Sequence, residues 1–235
     1  LSQDLKILFN IKQYRIIIFI LALCFIAWSW YYTSFGYWIQ WLYDLDQAEL
    51  GIAAALIEGC GNLIAILIIT YVAQNEQEDK SQIKTWKIRL EVMMIYFAII
   101  LLMSVIGMVI INYVDFLRFM LHYKAIVYTL ICGYFCGSEG VIVGALILSV
   151  TQTPPSQQAR SSAVVSIINS VSLFIGQFTV GEVYQKGGFR LETPFLLFIM
   201  IVVVSSTIYL AHIMKEKKLK EELTWINKHN YPKYT

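Results

Sequence analysis

The sequence predicts an all-α, polytopic membrane protein with six transmembrane helices. The first reason is compositional: 58% of the 235 residues are hydrophobic and only 14% are charged, whereas soluble domains carry roughly 25% charged residues. The second is length. Six apolar runs, at 14–42, 48–73, 90–114, 125–151, 162–184 and 192–214, are each long enough to cross a hydrocarbon core of about 30 Å, which needs about 20 helical residues. The third is the sorting of charge. Residues 1–13 read as an amphipathic interfacial segment, 14–214 as the six-helix body, and 215–235 as a basic tail. No room remains for a soluble domain.

Of the eighteen Lys and Arg residues, fourteen fall on one set of connections: Lys6, Lys12, Arg15, Lys80, Lys84, Lys87, Arg89, Arg160, Lys215, Lys217, Lys218, Lys220, Lys228 and Lys233. The opposite set holds Arg118, Lys124, Lys186 and Arg190. The positive-inside rule then places both chain ends on the cytosolic side, or the matrix side of an organelle. All four cysteines, Cys24, Cys60, Cys132 and Cys136, lie inside apolar runs, which argues against a secreted disulfide framework. Cys132 and Cys136 share a face, but without a third soft ligand beside them a metal site is not expected.

Residues 1–13 combine Leu5, Leu8 and Phe9 with Lys6 and Lys12, a pattern that lies at an interface. The first run carries Trp28, Tyr31, Phe35 and Trp38 at helical spacing. Aromatics near one boundary anchor a helix in the headgroup layer, and a stripe reaching deeper, here to Trp38, can line a solute path by stacking. In the second run Gly51, Ala55, Glu58 and Asn62 share one face. A charged carboxylate at that depth costs about 2.5–3.5 kcal/mol on insertion scales, so Glu58 is expected to be protonated, paired or solvated. The third run is apolar nearly all round and reads as a peripheral, lipid-facing helix, as does the sixth.

The fourth and fifth runs are the most informative. Gly133, Gly137, Gly140 and Gly144 form one face on which a neighbouring helix can approach closely, and a second face holds Cys132, Cys136 and Glu139. Pro154 and Pro155 end the fourth helix. In the fifth, Ser162, Ser166, Asn169, Ser172, Gly176 and Thr179 make a small and polar stripe where lipid contact would call for Leu or Ile, so the stripe must face protein or water.

The unit TPPSQQARSSAVVSIINSVSLFIGQFTVGEVYQKGGFR resembles the corresponding loop and helix in the second half of a major facilitator superfamily transporter. The shared features are Pro155, Arg160, Asn169, Gly176, Gly181 and the closing Gly188-Phe189-Arg190. LDQAELGIAAALIEGCGNLIAIL is similar to the outer loop and second helix of such a half. The chain departs from the family in the loop after the second helix, where NEQEDKSQIKTWKIR replaces a tight turn with a Gly, an Asp and paired basic residues. The resemblance implies that helices one and four line a central cavity, that two and five face a second six-helix half, and that three and six face lipid.

Two readings of function follow. In the first, the chain is one half of a secondary transporter that moves a small solute by alternating access, with proton coupling at Glu139 and a midplane site drawn from Glu139, Glu58, Asn62, Trp38 and Asn169. In the second, it is a transporter-derived structural subunit of a larger membrane complex. Either way the partners are the lipid bilayer and a further membrane body: a sister half upstream in the same chain, a second copy or another subunit. No nucleophile–base pair, phosphate-cradling loop or HExxH-type motif occurs, so neither an enzyme nor a cofactor is expected, and nothing points to nucleic acid.

Overall fold

The computed structural model describes residues 2–78 and 89–230. Lys80, Lys84, Lys87, Lys233 and most of the NEQEDKSQIKTWKIR connection lie outside the described residues. The chain forms α1 (Ser2–Asn10), α2 (Lys12–Tyr43), α3 (Gln47–Glu78), α4 (Leu90–Tyr113), α5 (Lys124–Thr151) and α6 (Gln158–Asn230). A 3₁₀ segment, Asp115–His122, joins α4 to α5, and a shorter one, Pro155–Gln157, leads into α6. Among the described residues there is no strand. Helix α6 is broken at Gly188, whose φ of 60° and ψ of −160° suit a residue without a Cβ. With the 3₁₀ turn before it the first arm spans Pro155–Gly188, the second arm spans Arg190–Lys220, and among the described residues these complete six segments long and apolar enough to cross a membrane. The protein is an integral, multi-pass membrane protein.

Contacts fix the direction of each segment. Along α2 the first arm runs parallel, since Tyr14 meets Ser161, Ser29 meets Leu173 and Trp30 meets Thr179. The second arm runs antiparallel, with Lys12 over the Tyr209 ring, Trp30 against Phe195 and Ser34 on Glu192. The chain therefore reverses at Gly188. Helix α5 is antiparallel to α2, with Ala27 opposite Tyr134 and Tyr43 opposite Tyr128. It is also antiparallel to α4, as the glycine contacts below show, and parallel to α3, where Gly61 faces Cys132 and Ile69 lies beside Gly144. The passes alternate in direction, and Lys12 and Lys217 come to the same end of the bundle.

Lipid tails are as apolar as Leu, so close packing and hydrogen bonds, not water exclusion, must hold these helices together. The predicted glycine face of α5 does this against α4. A Cβ on Gly133 would strike Ser104, one on Gly140 the Phe97 ring, and one on Gly144 the Met94 side chain; at Gly137 it would meet the Leu101 backbone. Helix α4 is thus peripheral on one face only. Tyr96, Met103 and Ile110 are exposed, while Met94, Phe97, Leu101, Val105 and Met108 are buried. Gly61, which the sequence did not single out, brings α3 onto α5: its Cβ would lie 2.8 Å from the Cys132 carbonyl oxygen and 3.0 Å from the Cys136 nitrogen.

The aromatic stripe of α2 is mostly an internal staple. Tyr31 stacks on Tyr134 of α5 at 4.1 Å between centroids and on Phe35 at 5.2 Å, and both meet Phe135 edge-on. Tyr134 Oη donates to the Ala27 carbonyl at 2.7 Å, which ties the cluster to the α2 backbone. Trp38 is buried in the same core. Only Trp28, stacked on Tyr32, keeps a position open to a solute.

The small and polar stripe of α6 also divides. Ser162 and Ser166 are exposed. Farther along, Ser172 is buried, a Cβ on Gly176 would come within 2.8 Å of Ser29 Cβ and 2.9 Å of the Ile26 carbonyl, and Trp30 Nε1 donates to Thr179 Oγ1 at 2.6 Å. This end of the stripe faces protein as expected, but that protein is α2 of the same chain. Thr179 in turn donates its one hydroxyl proton to the Ile175 carbonyl. Thr179→Val should leave the Trp30 N–H without an acceptor and destabilise the bundle by about 0.6 kcal/mol, with about 1.7 kcal/mol as the upper bound. A double-mutant cycle with Trp30→Phe, read from unfolding midpoints in mixed micelles, measures that coupling; no coupling would show the bond to be energetically idle.

Connections at the ends are equally specific. Asp44 closes α2 in the left-handed region at φ 50°, which Asp tolerates better than most residues, and its N–H reaches the Gln40 carbonyl. Asp46 Oδ1 accepts from the Glu49 N–H at 2.8 Å and caps α3. In the second arm Pro194 has no N–H for the carbonyl four residues earlier, that of Arg190. Tyr113 Oη of α4 donates to that carbonyl at 2.6 Å, and the Arg190 guanidinium lies 5.1 Å from the Tyr113 ring centroid. The start of the second arm is thereby pinned to α4.

Candidate functional site

The first arm of α6 lies along α2 and barely touches α5, which leaves a cleft of about 450 Å³ between them. Phe25 and Trp28 of α2 form its floor. Asn62 of α3 and Glu139, Ile142 and Leu146 of α5 line one wall; Val165, Ser166, Asn169 and Leu173 of the first arm line the other. Local sequence explains the opening. Glu139 is carried on the α5 face that also bears Ile142 and Leu146, turned away from the glycines that seat α4. On the first arm Asn169 and Ser166 fall one turn apart, so the polar end of the stripe not covered by α2 faces the cleft.

Three of the polar residues singled out from sequence, Glu139, Asn62 and Asn169, meet in this one place. Asn62 Oδ1 and Asn169 Oδ1 are buried and, among the described residues, accept no hydrogen bond. Buried polar atoms are normally partnered. Two amide oxygens from different helices thus lack donors beside the same cleft, and a donor arriving there would satisfy them once the side chains turn toward it. Glu58, one turn before Asn62 on α3, is half-buried and within electrostatic reach of Glu139. Among the described residues no Lys or Arg lines the cleft, whose polar groups are one carboxyl, two amides and a hydroxyl.

The remaining expected residues lie elsewhere. Trp38 packs in the core and does not wall the cleft, because the α2 face that carries it is occupied by α5 aromatics. Gly133, Gly137, Gly140 and Gly144 seat α4, and Gly176 seats α2. Among the described residues no three His, Cys, Asp or Glu side chains group as a metal ion would need.

Sequence reasoning missed Glu192. It is fully buried in the second arm, four residues past the Gly188 break, and Ser34 Oγ lies 2.6 Å from its Oε1. The signal was present as a lone acid opening an otherwise apolar run, GGFRLETPFLLFIM, but an acid at the edge of a run does not stand out from one in the headgroup layer. The apolar walls Phe25, Ile142 and Val165 carry no signal of their own, since a residue that lines a cleft and one that faces lipid look alike.

The segments also differ in how much is covered. Half or more of the apolar window is buried in α2 (50%) and α5 (56%), against 22% in α3 and 28% in the first arm of α6. Leu56, Leu63 and Leu67 of α3 and Ile167, Phe174 and Phe178 of the first arm are exposed, and the cleft lies between these two helices. No family profile, characterised protein or solved structure matches the chain.

Proposed function

We propose that the chain is one six-helix half of a secondary transporter of the major facilitator type, and that the cleft between α3, α5 and the first arm of α6 is its share of the solute site. The observation that carries this is the meeting of Glu139, Asn62 and Asn169 at one cleft with both amide oxygens unpartnered. Alternating access needs a polar site within the membrane body, bounded by elements that a second body can cover and uncover. The two least covered helices flank the cleft, which supports a second six-helix body docking over them, supplied by the same polypeptide or by another subunit. The charge asymmetry favours an orientation with the Lys12 and Lys217 end in the cytosol or matrix.

The chemistry of the lining selects a class of solute. A lining of carboxyl, amide and hydroxyl groups without a cation suits a small organic solute that brings hydrogen-bond donors, either an ammonium or a neutral polyol or amide, and disfavours an anion. Trp28 offers an aromatic face to such a cation. The test is uptake by proteoliposomes of the assembled protein, using a panel of labelled small ammonium compounds, polyols and carboxylates. Cationic or neutral donors should enter and carboxylates should not. For a probe that enters, Asn169→Leu and Asn62→Leu should each weaken its apparent affinity about tenfold, the worth of one hydrogen bond of about 1–1.5 kcal/mol. Uptake of carboxylates alone, or affinities unmoved by both substitutions, would show that solute does not pass through this cleft.

A further inference from the structure

Glu192 lies outside the cleft, at the seam where the second arm of α6 packs on α2. Its side chain is fully buried. Ser34 Oγ stands 2.6 Å from Glu192 Oε1 and 3.0 Å from the Trp30 carbonyl oxygen. A serine hydroxyl has one proton to give. Both contacts are hydrogen bonds at once only if Ser34 donates to the Trp30 carbonyl and the carboxyl group brings its own proton, donating from Oε1 to Ser34 Oγ. Glu192 Oε2 is then a neutral carbonyl oxygen, buried and without a partner among the described residues, a state much easier to tolerate than a bare carboxylate in the same place.

The surroundings agree. Among the described residues no basic side chain forms an ion pair with Glu192. The nearest cation on its own helix, Arg190, lies over Tyr113 of α4. The titratable groups that face it are phenols: Tyr31 of α2, Tyr134 of α5 and Tyr184 of the first arm. Tyr134 directs its hydroxyl to Ala27. Four residues upstream, Gly188 has positive φ and open space where a Cβ would stand. The second arm therefore begins at a backbone break, is tied to α4 through Tyr113 and Arg190, and carries a single acid just inside its seam with α2.

We propose that Glu192 is a proton-binding site that locks the second arm of α6 to α2: the proton is held while the seam is packed, and it passes to water when the arm, together with the α4 to which it is tied, parts from α2 about Gly188. The packed state binds one proton more than the open state, so opening is favoured as pH rises, by up to about tenfold per pH unit. This inference does not depend on what the cleft carries.

The test uses the full chain in lipid nanodiscs. Infrared difference spectra over a pH titration should show the carbonyl-stretch band of a buried protonated acid, lost in Glu192→Gln. In parallel, the native cysteines are replaced and a reporter is introduced by Thr193→Cys, a buried position beside the acid. Its alkylation rate, taken relative to Tyr37→Cys at an exposed position, should rise steeply with pH in the parent and stay flat with Glu192→Gln. If the Gln variant fails to fold, Ser34→Ala serves instead: it keeps the acid but removes its acceptor, and should shift the band and open the seam at lower pH. A band unchanged by whichever variant folds, or a reporter rate with the same pH dependence in that variant as in the parent, overturns the proposal.

Discussion

Glu139→Gln should collapse uptake driven by a pH gradient while leaving counterflow of the same probe intact. The glutamine keeps the size of the side chain and its power to accept a hydrogen bond, but it cannot take up and release a proton. Glu139 lines the cleft beside Asn62 and Asn169, with Glu58 in electrostatic reach and no Lys or Arg in the lining. With no cation among the described lining residues, the charge of the lining changes as Glu139 gains or loses its proton. In a coupled carrier the gain and loss of that proton set the balance between outward- and inward-facing states, whereas solute exchange in one protonation state needs no such cycle. The expected effect is a loss of gradient-driven accumulation by about two orders of magnitude with a change of no more than about threefold in counterflow, a differential of about 2 kcal/mol on the coupled step alone. Glu139→Leu should impair both, because it also removes an acceptor. Transport in proteoliposomes with and without an imposed pH gradient separates the cases. Unchanged gradient-driven uptake in the Gln variant would remove Glu139 from the coupling role, and an equal loss of both activities would make it a solute ligand only.

How far the sequence could be read depended on what kind of force each residue exerts. The Gly133–Gly144 face was legible because a run of missing side chains at helical spacing is itself a statement about close approach, and the structure puts α4 there, its backbone at Gly137 and its side chains at the other three. The stripe on the first arm of α6 was legible as a surface that must avoid lipid, but not as to its cover. Small residues specify a distance and carry no label for the neighbour, so Gly176 could not say that the neighbour is Ser29 of α2. Boundaries erred in a consistent direction. Hydropathy marks where a helix enters the bilayer, whereas hydrogen bonding decides where it ends. The first arm therefore starts at Gln158, before the apolar run at 162, and the second arm continues through charged residues well past 214. The aromatic stripe of α2 could not be divided by sequence into path and core, because stacking partners such as Tyr134 sit about a hundred residues away. The cleft itself was partly legible: Glu139, Asn62 and Asn169 are costly side chains at bilayer depth, and such residues converge on the few places where the cost can be offset. Glu192 escaped notice because an acid at the edge of an apolar run looks solvated until the reversal at Gly188 folds it under α2.

Gly137→Ala should be the most damaging single-methyl change in the bundle. An added Cβ there would stand 2.6 Å from the Leu101 nitrogen and 2.8 Å from Leu101 Cα, atoms of the α4 backbone that cannot rotate aside. To admit it, α4 must move away from α5 and give up packing along the whole glycine face, which in lipid is the main attraction between the two helices. Overpacking of this kind costs about 1–3 kcal/mol, and the rigid obstacle puts Gly137→Ala at the upper end; Gly137→Leu should prevent the pair from docking at all. The same methyl elsewhere provides the control. At Gly144 the nearest atoms belong to the flexible Met94 side chain, so Gly144→Ala should lose less than about 1 kcal/mol. At Gly51 and Gly181 nothing lies within 4 Å, and alanine there should be neutral or gain up to about 1 kcal/mol from helix propensity. Unfolding midpoints of the four variants in mixed micelles give the series, with Gly137→Ala lowest and Gly51→Ala and Gly181→Ala at or above the parent. If Gly137→Ala unfolds within about 0.5 kcal/mol of the parent, α4 does not rest on α5 as described, and the bundle that opens the cleft on the opposite side of α5 loses its support.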